Sequence, residues 1–101
     1  MKQFLIRYRH TEGTTDDWHR EIGRFISAID ADPALKGKIG YRCLKARDGA
    51  DYFHIATVHE EQGQKALQER DFFKYYTAEA RRIPGGTVEV TPIETVAQTA
   101  D

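Results

Sequence analysis

The stretch from Asp51 to Glu61, DYFHIATVHEE, holds two histidines inside a run of strand-forming residues. Phe53, Ile55, Thr57 and Val58 suit a pleated, half-buried strand, and neither His54 nor His59 is needed for that. Two imidazoles admit a shared metal, a proton-transfer pair or unrelated roles. They lie five residues apart, so on a regular strand they project to opposite faces and cannot hold one ion between them. No helical stretch shows His-x-x-x-His or Glu-x-x-His ligand spacing. The one cysteine, Cys43, allows neither an intrachain disulfide nor a cysteine-based zinc motif. No metal and no other cofactor is expected.

His54 is the candidate catalytic residue. It shares its strand face with Tyr52, Val58 and the small Ala56, which leaves room beside it. A neutral imidazole near pH 7 accepts a proton from a phenolic molecule without metal assistance. The alternative is a half-buried histidine hydrogen-bonded to a neighbour. Tyr8 and His10 on the first strand, Trp18 on the first helix and Tyr76 on the last helix are the candidate ligand-binding residues. Each also has a structural reading: His10 as a strand end, Trp18 as a core or interface anchor, Tyr76 as an inward residue whose hydroxyl needs a partner. His19 is expected to be solvated, His59 to lie at a strand end or interface, and Cys43 to be a small core residue. Gly85-Gly86 lacks the strand–glycine–helix context of a phosphate loop and reads as a turn.

These side chains need elements to hold them. Residues 3–10 alternate as a strand, with Phe4, Ile6, Tyr8 and His10 on one face and Leu5, Arg7 and Arg9 on the other. A turn leads to a helix capped by Thr15 or Asp16, with Trp18, Ile22, Phe25, Ile26 and Ile29 on its apolar stripe. Pro33 and Gly37 end it. Strands are predicted over 39–46 and 52–59, joined by a hairpin turn at Asp48-Gly49. Residues 60–83 read as helical in two pieces hinged near Arg70-Asp71 and ended by Pro84-Gly85-Gly86. A last strand over 87–97 carries Pro92, which donates nothing to a ladder and marks an edge, bulge or bend. The order β-α-β-β-α-β is the ferredoxin-like α+β arrangement, an antiparallel sheet with helices on one face. The other face would then show Leu5, Leu44, Phe53, Ile55 and Ile93, more apolar surface than a small sheet leaves wet. A second copy of the chain is the expected cover, with Arg7, Arg9, Arg42 and Glu89 pairing across the contact or along its rim. Tyr75 and Phe72 are expected on the side nearer that partner.

The 101 residues are read as one domain, 1–101. With 40% hydrophobic and 31% charged residues the chain is globular rather than disordered. A net charge of −1, with Lys and Arg interleaved among Asp and Glu, excludes the basic footprint of a nucleic-acid binder. The opening MKQFLIRYRH turns charged too soon for a secretory signal, and no apolar run could span a bilayer. A cytoplasmic protein without nucleic-acid or membrane partners is the expectation.

The run FHIATVHEEQGQKALQERDFFKYY, with Glu60-Glu61, Ala66-Leu67 and Asp71-Phe72-Phe73 in order after the third strand, resembles the antibiotic-biosynthesis-monooxygenase-like (ABM-like) group of dimeric α/β barrels. The element order extends that resemblance over nearly the whole chain. It implies a homodimer packed sheet against sheet, with a pocket in each subunit between sheet and helices. It also implies monooxygenase-like chemistry without metal or flavin on a small aromatic or quinol-type molecule; a non-catalytic binding or structural dimer and a lyase-type activity are the other roles considered for this barrel. The haem-degrading branch uses Asn on the first strand, Trp on the third and His on the last helix. Here the first strand has no Asn, Val58 or His59 stands where the Trp would fall, and Thr77 stands at the His position.

Overall fold

A computed structural model describes residues 1–82 and 87–100. Strand β1 (Lys2–Arg9) leads to helix α1 (Thr15–Ala31), then β2 (Ile39–Lys45) and β3 (Asp51–Val58). Helices α2 (Glu61–Glu69) and α3 (Asp71–Arg81) follow, and then β4 (Glu89–Ile93). The four strands form one antiparallel sheet in the order β2-β3-β1-β4. This is the ferredoxin-like α+β architecture expected from the element order. Among the described residues, no helix is long and apolar enough to cross a membrane.

Local chemistry explains the boundaries. The cap of α1 is Thr14, one residue before the expected Thr15 or Asp16: its side chain accepts a hydrogen bond from the Asp17 N–H, while Asp16 and Asp17 sit in the first turn at the positive end of the dipole. Gly49 takes a φ of +99° in the β2–β3 turn, a conformation that a Cβ disfavours. Gly63 is needed for a different reason. A Cβ there would stand 2.6 Å from Lys38 Cβ, so glycine lets α2 approach the start of β2. The α2–α3 hinge falls at Arg70, which is extended (φ −77°, ψ 136°) and ends one helix while opening the next. Its guanidinium Nε donates to Asp32 Oδ2 at 2.7 Å, tying the hinge to the end of α1.

β4 is shorter than the expected 87–97. Its ladder with β1 runs only from Arg7–Glu89 to Gln3–Ile93, and beyond that β1 has almost no residues left to pair. Pro92 lies on this edge strand, as its missing donor requires. The expected Pro84-Gly85-Gly86 stop lies outside the described residues.

The core lies between the sheet and the helices. Trp18, Ile22, Phe25 and Ile29 of α1, Leu67 of α2, and Tyr76 and Ala80 of α3 pack against Tyr8, Ile39, Tyr52 and Val58 of the strands. Phe72, expected on the partner side, packs inward against Phe25 (centroids 6.1 Å apart), whereas Tyr75 is exposed. The outer charges pair within the chain, Arg7 with Glu89 at 4.0 Å and Arg9 with Asp51 at 3.4 Å.

Candidate functional site

Strand alternation turns Tyr52, His54, Ala56 and Val58 of β3 toward the helices, and all four are buried. The ladder sets their neighbours: His54 lies beside Ile6 of β1 and Cys43 of β2, and Tyr52 beside Tyr8. His54 is 1% exposed, the one buried polar side chain among these core positions.

Its two ring nitrogens are both engaged. Nε2 is 3.0 Å from the Tyr8 hydroxyl, and Nδ1 is 3.2 Å from the Tyr76 hydroxyl and 3.6 Å from Cys43 Sγ. Trp18 Nε1 donates to the Tyr8 oxygen at 3.1 Å. Two helices and two strands thus supply one connected set, Trp18–Tyr8–His54–Tyr76. Among the described residues no buried side-chain nitrogen or oxygen lacks a partner, as a low-dielectric interior demands.

Burial governs the titration of these groups. It lowers the His54 pKa to about 4, so the imidazole is neutral throughout the physiological range. It raises Tyr8, against the opposing hydrogen bonds from Tyr76 and Trp18, and raises Tyr76 and Tyr41 in the same way. Cys43 is pushed up to about 12 and stays a thiol. The set consists of neutral donors and acceptors.

A cavity of about 280 Å³ opens against this set, between the inner face of the sheet and helices α2 and α3. Tyr8, His54 and Tyr76 lie in its wall together with Phe4, Ile6 and Ala56. The fold brings these three candidates together at the cavity, and His10 does not line it. That ring stacks on Trp18 (4.2 Å, 13°) and borders a separate polar hollow with Glu12, Asp17, Glu79 and Arg82. The displacement follows from Trp18, which stands between the strand end and the cavity. Trp18 itself stacks on both His10 and Tyr76 (5.6 Å, 6°) and lies outside this cavity's lining, bordering the polar hollow with His10.

His19 is exposed, but its Nε2 lies 2.9 Å from the Tyr52 hydroxyl. Tyr41, Gln64, Gln68, Thr77 and Arg81 also line the cavity and are additions to the sequence reading. Tyr41 was accessible to it: alternation along β2 puts Ile39, Tyr41 and Cys43 on one face. Among the described residues no group of three or more His, Cys, Asp or Glu side chains could hold a metal ion.

The solved structures similar to this one include the cofactor-independent oxygenase SnoaB from Streptomyces nogalater, at a TM-score of 0.69 and 18% identity over 98% of this chain and 95% of that one. A point variant of SnoaB superposes at 0.71 with 13% identity, over 99% and 98% of the two chains. The chain has the ABM-like α/β-barrel fold. A protein of unknown function from Nitrosomonas europaea, NE2512, shares it at 0.66 and 13% identity over 99% and 94% of the chains. No family model and no curated protein sequence matches this chain. At these identities the ABM-like likeness fixes the backbone arrangement and leaves the residues in the cavity to be read on their own terms.

Proposed function

We propose that the cavity binds a small, flat, mostly apolar ring bearing a phenol or quinol oxygen, and that the protein acts on it as a cofactor-independent monooxygenase. The observation that carries the proposal is an apolar cavity between sheet and helices that ends on a buried, neutral histidine bracketed by two tyrosyl hydroxyls. A ligand oxygen placed at Tyr76 meets a hydroxyl in contact with His54 Nδ1. Proton transfer from the ligand through that hydroxyl leaves a ring anion beside an imidazolium. Protonating His54 at neutral pH is costly, because burial disfavours the charge; an adjacent ligand anion would compensate for it. The electron-rich anion is the species that dioxygen attacks. For an activated ring CH2, one oxygen atom becomes the carbonyl oxygen and the other leaves as water. The carbon gives up the four electrons that dioxygen takes. The fold shared with SnoaB supports this reading.

The test is oxygen uptake with anthrone, whose oxidation to anthraquinone consumes one dioxygen per molecule and yields one water. Turnover at that stoichiometry is expected. His54→Gln retains a hydrogen-bonding side chain but not the base, and a rate loss of roughly a hundredfold fits general-base assistance. Binding of the ring without oxygen uptake would instead support a non-catalytic ligand-binding protein. That second reading is favoured by the fully satisfied state of His54 and its lowered pKa.

The proposal includes a homodimer packed through the outer face of the sheet. Leu5, Phe53, Ile55 and Ile93 are half-buried there in the single chain and Leu44 is 39% exposed, which is apolar area that a second copy would cover.

A further inference from the structure

We propose that Arg81 makes the cavity selective for ring acids: ligands whose flat ring carries an oxygen at one end and a carboxylate at the other. This rests on the reading of the cavity as a flat-ring pocket and adds the chemical class of its ligand. The cavity wall is mostly apolar among the described residues, with Tyr41 and Thr77 as single polar residues and two places where polar groups cluster. One is the buried His54–tyrosine set. The other is formed by Gln64 and Gln68 on α2 and Arg81 at the end of α3, and among the described residues Arg81 is the only charged one in the wall. Arg81 is exposed, and among the described residues no carboxylate pairs with it. The adjacent Arg82 differs: it bridges Glu79 at 3.1 Å and Glu12 at 4.0 Å. The side-chain amides of Gln64 and Gln68, one turn apart on α2, make no hydrogen bond among the described residues, and both line the cavity.

The two polar places are also linked along α3. Tyr76 and Arg81 are five residues apart on one helix, about 7.5 Å along its axis. A two-ring skeleton with its oxygen at Tyr76 places a carboxylate on the far ring within reach of the guanidinium, whose planar fork matches a planar carboxylate.

The experiment is calorimetric titration at pH 7 and moderate salt with 6-hydroxy-2-naphthoate and with 2-naphthol, which share the ring and the hydroxyl and differ in the carboxylate. The naphthoate is expected to bind about tenfold more tightly, the scale of one charge-assisted contact near the surface. Arg81→Gln is expected to abolish that advantage while leaving 2-naphthol affinity unchanged, and Arg81→Lys to keep part of it. A role for Arg81 limited to its helix terminus would leave both affinities as in the wild type, which overturns the proposal. So does equal binding of the two probes by the wild type, with the flat-ring cavity still standing. If neither probe binds, the cavity reading fails and this inference falls with it.

Discussion

The two faces of the sheet are built from alternate residues of the same strands, yet they end in opposite states. On β3 the inward residues Tyr52, His54, Ala56 and Val58 are buried, whereas Phe53, Ile55 and Thr57 between them are only half-covered. The inner face is closed by its own chain. Its aromatic rings stack on one another, Tyr8 on Tyr52 at 5.2 Å and Tyr76 on Phe25 at 4.1 Å, and among the described residues no buried polar side-chain atom lacks a partner. The outer face combines apolar side chains with ion pairs that remain solvated, and Arg7 lies over the Phe53 ring at 5.7 Å. Such exposed pairs add little stability. The contrast teaches where each kind of function is placed. A face that satisfies itself can hold a pocket, and a face left apolar and open is suited to a partner.

The largest expected effect breaks the inner face. Trp18→Ala removes the indole that stacks on His10 and Tyr76 and donates to Tyr8, leaving a void and an altered hydrogen-bond set. A loss of about 3–5 kcal/mol in urea unfolding is expected. A loss below about 1 kcal/mol would mean that the inner face does not depend on this anchor.

Next comes the outer face. Phe53→Asp puts an unpaired charge into the proposed contact between copies. Sedimentation should show a dimer for the wild type and a folded monomer for the variant, with association weakened roughly a hundredfold or about 3 kcal/mol. A wild-type monomer at micromolar concentration would show that the outer face is not an interface.

The smallest effect sharpens the inner face through pH. His54 has a folded pKa near 4, below the ordinary value of 6.5, so between those values the unfolded chain binds the extra proton. Stability therefore rises with pH across that window, is unaffected by His54 above it, and falls by about 2 kcal/mol on acidification to pH 5. His10, also lowered by burial, adds in the same direction. Denaturation profiles of the wild type and His54→Gln should diverge between pH 7 and pH 5, and parallel profiles would place the His54 pKa close to its unfolded value.

Much of this architecture was legible in the chain. The hinge near Arg70 and the Asp48-Gly49 turn depend on nearest-neighbour backbone chemistry, which a sequence displays directly. So does the division of β1 and β3 into two faces, since a period of two needs no tertiary knowledge. For Pro92 the sequence displays the missing donor, and the strand order chose the edge over a bulge or bend. The convergence of Tyr8, His54 and Tyr76 was readable because each belongs to an element whose inward stripe was clear.

What the sequence determined by itself was therefore the elements, their order and the side of each that turns inward, because propensity, capping and periodicity are local properties. Only the tertiary structure decided which inward groups meet. It placed Trp18 between His10 and the cavity, set Cys43 opposite His54 through the β2–β3 register, brought the Tyr52 hydroxyl to His19, and put Gln64, Gln68 and Arg81 into the cavity wall. The physical reason is that these contacts join residues far apart in the chain. Their geometry depends on strand register and helix packing angles, which emerge only when all the apolar stripes are packed at once.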